Sequence, residues 1–132
     1  MKKNWVEFQV GPGDVGSELH VSLNRKGEIV IGAAAFERFG RPEHVVLLHD
    51  EGNEFIGLLE ASSVAKNAYP LHANKDPKQR HRLLRASRFC KHHGIKVSAT
   101  MAFGNVEIDE EGVLVLPLKG MRVVGKRKTD NG

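Results

Sequence analysis

The chain has 132 residues, 40% of them hydrophobic and 27% charged, with a net charge of +4. These values suit one compact domain over residues 1–132 with a core of its own, and they exclude a low-complexity chain or a long disordered tract. No apolar run approaches the roughly 18–20 residues of a membrane span, Asn4, Glu7 and Gln9 interrupt any secretory leader, and the lone Cys90 cannot close an internal disulfide, so a cytoplasmic location is expected.

In chain order, Val6, Phe8 and Val10 alternate with Glu7 and Gln9 and predict a half-buried strand. A Gly/Pro-rich turn follows at 11–16. Leu19, Val21 and Leu23 share one face of a second strand over 19–24, and "RKGE" (25–28) turns the chain into a return strand at 29–31. "AAAFERF" (33–39) predicts a short helix stopped by Gly40. Strands are expected at 44–49 and 54–60 around the turn signal "DEGN", and a loop at 61–76. Asp76-Pro77 reads as a cap and first turn, so a longer basic helix is expected over 77–93, ended by Gly94. A strand at 95–103, a hairpin over 106–118, a short strand near Val123 and a basic tail complete the chain. The expected fold is α+β, mostly β: sequential hairpins, with the short helix in the first half and the longer one in the second.

The charge is uneven. Residues 1–60 carry six Lys/Arg and ten Asp/Glu, whereas residues 61–132 carry fourteen and six. A positive field confined to the second half points to an anionic partner, of which nucleic acid is the commonest. The other reading of the same charge is a solvated surface.

"VSLNRKGEIVIGAAAFERFGRPEHVVLLHDEGNEFIGL", about 21–58, resembles the AbrB/MazE/SpoVT-type swapped-hairpin modules. Gly27-Glu28-Ile29-Val30-Ile31 stands at that family's Gly-Arg-Ile-x-Ile, and Phe39 to Val45 at its Leu-Gly-x-x-x-Gly-Asp-x-Val. The resemblance implies a swapped-hairpin half over 1–60, an intertwined homodimer and a DNA-binding regulator or antitoxin. Glu28, Gly32 and Glu43-His44 depart from the pattern. A carboxylate at Glu28 would repel phosphate, so the family's fold can hold here without its DNA-reading loop. Arg25, Lys26 and Arg38 are phosphate contacts or ordinary surface charges.

The second half, 76–125, reads as a basic helix plus a β-hairpin. On a helical wheel Leu83, Leu84, Ala86, Ser87 and Cys90 face the core. Lys78, His81, Arg82, Arg85, Arg88 and His92 lie opposite, with Phe89 among them and Arg80 and Lys91 beside. The expected nucleic-acid contacts are therefore Lys78, Arg82, Arg85, Arg88 and Lys91, with Phe89 stacking on a base or turning into the core. Arg122, Lys126 and Arg127 would form a second clamp. The basic face could instead pair with the acidic first half.

Catalytic signatures are missing: GxxxxGK[ST], HExxH and GxSxG do not occur, and Asp109, Glu110 and Glu111 sit in a turn. His92 and His93 point about 100° apart on a helix and Cys90 faces the core, a poor set for zinc. No metal and no cofactor is expected. The preferred function is a small non-catalytic nucleic-acid-binding protein, possibly regulatory in transcription, with DNA favoured over RNA. The alternatives are a protein-interaction module, antitoxin-like or a phage-type inhibitor, and an unrecognised enzyme.

Overall fold

The structure is a computed structural model and describes residues 19–124. The expected strand at 6–10 and the tail residues Lys126 and Arg127 lie outside the described residues. The first half runs β1 (Val21–Leu23), β2 (Glu28–Ile31), α1 (Ala33–Arg38), β3 (His44–Asp50) and β4 (Phe55–Glu60). Then come β5 (Tyr69–Pro70), β6 (His72–Ala73), β7 (Arg82–Arg85), α2 (Ser87–His93), β8 (Met101–Ala102), β9 (Glu107–Ile108), β10 (Leu114–Pro117) and β11 (Arg122–Val123). One sheet has the order β11-β8-β1-β2-β7-β6, the other β5-β3-β4-β10-β9, and every pairing is antiparallel.

Each sheet contains a palindromic run, β1-β2-β7-β6 in one and β3-β4-β10-β9 in the other, with β8 and β11 or β5 added at one edge. Each half supplies a hairpin, a helix and a second hairpin: β1-β2, α1, β3-β4, then β6-β7, α2, β9-β10. The first hairpins join through β2·β7, with Ile29 opposite Leu84, and the second through β4·β10, with Leu58 opposite Leu114. The two halves thus meet through one interior pair in each sheet. Ile29, Ile31, Leu84, Val45, Ile56, Leu58, Leu114 and Leu116 are fully buried and, with Phe36, Phe39 and Cys90 from the helices, make one core. Full burial of each such aliphatic side chain is worth about 1.5–3 kcal/mol.

The expected longer basic helix over 77–93 is not formed. Residues 82–85 are strand β7, and helix covers only Ser87–His93. Asp76 does cap a turn, accepting from the Lys78 N–H at 3.0 Å through its side chain and from the Gln79 N–H at 2.9 Å through its carbonyl, but the turn does not propagate. A helix over 80–92 would stack Arg, Lys and His at i,i+3 and i,i+4 with no carboxylate between them. As a strand, the same residues deliver Leu84 to the core against Ile29 and give the β2 backbone its ladder. Among the described residues the fold is therefore mostly β with two short helices, not one with a long basic helix. The expected strand 95–103 shortens to Met101–Ala102. Ile95, Val97 and Ala99 do alternate inward, half-buried, but the stretch before Met101 takes no place in either ladder.

Candidate anion-binding clefts

The turn between β1 and β2 is organised by Asn24. Its side-chain oxygen accepts from the Lys26 N–H at 2.9 Å and the Glu28 N–H at 3.0 Å, and its amide donates to the Glu28 carboxylate at 3.0 Å. This is an Asx turn. It ties Glu28 down and leaves Arg25 and Lys26 exposed at the tip. The turn does not rest on its own half. The Ala86 N–H donates to the Gly27 carbonyl at 3.0 Å, which seats the hairpin tip against the start of α2.

Between tip and helix lies a cleft of about 440 Å³. Leu23, Cys90, Ile95 and Val97 give it an apolar floor. Among the described residues, Arg25, Lys26, Lys91 and Lys96 are its four charged residues, and no carboxylate lines it. Burial raises the pKa of the Cys90 thiol, which stays protonated and acts as packing, not as a nucleophile. Arg85, in register opposite Glu28, and Arg88, three residues before Lys91 on α2, are exposed beside this end of the molecule.

The opposite end has the corresponding arrangement. The β6–β7 loop packs against α1, and the cleft between them, about 490 Å³, is lined by Arg41, Lys75, Arg80 and Arg82 with Glu37. Arg41 Nε lies 3.2 Å from Glu37 Oε1, and Arg80 Nη2 lies 3.9 Å from Oε2. The Arg82 guanidinium sits 4.3 Å from the Phe36 ring centroid and donates to the carbonyls of Arg80 at 3.0 Å and His81 at 3.3 Å.

The expected contact residues are thus divided between two ends. Lys91 lines the first cleft, flanked by Arg85 and Arg88; Arg82 lines the second, and Lys78 is exposed on its loop. Arg122 is exposed on β11, at the far edge of the six-stranded sheet. Phe89 is half-buried against the core, its ring centroid 4.6 Å from that of His93 and 6.1 Å from that of His49, so it does not offer an open stacking face. Lys96, Arg41, Lys75 and Arg80 were not singled out from the sequence as contacts. The signal that could have found them was the loose echo of "FERFG" in "SRFCKHHG", because it marks the two helices as equivalents and each helix as the floor of a cleft.

A third cluster joins α2 to β3. The His49 and His93 ring centroids are 4.0 Å apart and those of His92 and His93 4.7 Å apart. Among the described residues no group of three or more His, Cys, Asp or Glu is placed to hold a metal ion. Desolvation, then His49 and His92, lower the His93 pKa, with Glu51 opposing. The neutral form is favoured in the fold, so the unfolded chain binds more protons in the histidine range. Stability from this cluster is present above the unfolded-state pKa, about 6.5, and is lost as pH falls through the lower folded value. The denaturant midpoint should therefore drop between pH 7.5 and pH 5, and His49→Gln should flatten that dependence; an equal slope in the variant would count against the cluster as its source.

Comparison with protein-family models, with curated proteins and with solved structures gives no match. No helix among the described residues is long and apolar enough to cross a membrane.

Proposed function

We propose that the protein is a non-catalytic, cytoplasmic nucleic-acid-binding protein, with DNA favoured over RNA, and that the cleft between the β1–β2 turn and α2 is its principal phosphate site. The observation that carries this reading is the lining of that cleft: among the described residues, four cations and no carboxylate, on an Asx turn, α2 and the segment after it. Cations gathered in one concavity are the arrangement that phosphate binding rewards, because each neutralised phosphate releases condensed counterions. Arg85 and Arg88 extend the same surface. The docking element is a hairpin tip with the helix of the other half, in place of a continuous basic helix.

The test is binding of the full chain to labelled DNA and RNA at several salt concentrations. Affinity should fall steeply with salt. The Arg25/Lys26/Lys91/Lys96→Ala variant should lose about a hundredfold at low salt, and its slope of log affinity against log salt should shrink by about three to four. All four side chains border a surface cleft, so circular dichroism should report an intact fold. A folded variant with unchanged affinity and slope would overturn the reading.

A further inference from the structure

The two clefts are related by the palindromic strand order but differ in one respect: the second contains a carboxylate. Glu37 places one oxygen on Arg41, from the turn that follows its helix, and the other towards Arg80, from the loop of the opposite half. An anionic group held between two guanidiniums is how a phosphoryl or carboxyl ligand would sit there. We propose that the cleft between α1 and the β6–β7 loop is a second phosphate-binding site, and that Glu37 is its built-in competitor. The inference deepens the function proposed above and rests on it for the class of ligand.

Several features make Glu37 displaceable. Its side chain is 44% exposed, and the two arginines are 69% and 70% exposed. Exposed ion pairs of this kind are weak and lose further strength with salt. A terminal phosphoryl group brings more negative charge than a carboxylate and a third oxygen, and a backbone phosphodiester brings an equal charge reinforced by its neighbours along the strand; Lys75 and Arg82 in the same lining can meet either. Arg82 is already oriented by the Phe36 ring and by the Arg80 and His81 carbonyls, so it loses little freedom on binding. The wild-type chain then has one open site and one that opens only to an anion able to displace Glu37.

The ligand could be a free phosphate or a nucleic-acid backbone, and two titrations of the full chain, read by backbone amide NMR shifts, separate them. The probes are inorganic pyrophosphate and a short DNA duplex. Amides of 24–27 and 87–97 report the first cleft, those of 36–41 and 73–82 the second. In wild type the first group should respond at lower pyrophosphate concentration than the second. Glu37→Gln should tighten the response of the second group by about three- to tenfold, the effect of removing one nearby like charge at a surface site, and leave the first group unchanged. Arg80→Ala should abolish the second response alone. A second group that does not respond in either protein, or whose midpoint Glu37→Gln leaves unmoved, would overturn the proposal. Loss of the first-group response with a retained, Glu37-sensitive second response would sink the principal site and leave this one standing. A response to the duplex in both groups identifies the backbone as the source; a response to pyrophosphate alone identifies free phosphate.

Discussion

Gly27→Ala should cost about 3 kcal/mol of stability, the sum of a strained backbone and an overpacked contact. Gly27 has φ +84°, in the left-handed region, and a Cβ built there would lie 2.6 Å from the Cα of Ser87. Neither backbone can retreat easily. The Gly27 N–H donates to the Asn24 carbonyl at 3.0 Å, and its own carbonyl accepts from Ala86 at 3.0 Å. The only escape is to lift the hairpin tip off α2, which opens the first cleft and breaks the link between the halves at that end. Gly40→Ala is the control. Gly40 has φ +98°, but nothing lies within 4 Å of an added Cβ, so the cost should be the conformational one alone, about 1 kcal/mol. Chemical denaturation of both variants measures the difference. Equal costs would mean that the tip does not press on the helix. If the tip is displaced as argued, the Gly27 variant should also bind DNA more weakly at temperatures where it is still folded.

Local pattern made the first half legible and misled in the second, and the reason is the range of the interactions. Val21 and Leu23, Ile29 and Ile31, Val45, Ile56 and Leu58 alternate or cluster within short windows bounded by turn residues, and those windows became β1 to β4 within a residue or two. The stretch 77–93 carries a valid cap at Asp76-Pro77 and a two-sided apolar/basic wheel, so local rules favour a helix. What overrides them is β2, some fifty residues earlier in the chain, which needs a partner on its second edge and finds Arg82–Arg85. Nothing in 77–93 itself announces that need. The site suffered the same loss. Arg25, Lys26 and Lys91 were each visible as cations, but their meeting in one cleft depends on the β1–β2 tip crossing to α2, and Lys96 gains its place only through that crossing.

The palindromic order has a further consequence: neither half should fold as a monomer by itself. Cutting the chain between Lys66 and Asn67, in the irregular link after β4, leaves every first-half element intact in sequence. Yet β2 then loses β7, and β4 loses β10, which removes an interior pairing from both sheets at once. Ile29, Ile31, Ile56 and Leu58, all fully buried in the whole chain, would face water on the side where Leu84, Leu114 and Leu116 had packed. Two-stranded hairpins are marginal in water without further strands. The expected result is that residues 1–66 and 67–132, each at low concentration, show no cooperative thermal transition by circular dichroism, and that mixing them restores one. At higher concentration the first half can recover by pairing β2 and β4 with those of a second copy. In the whole chain, β7 and β10 occupy those places. Cooperative melting of either fragment as a monomer would show that one half carries a core of its own, and the second half would then be an appendage instead of the missing partner.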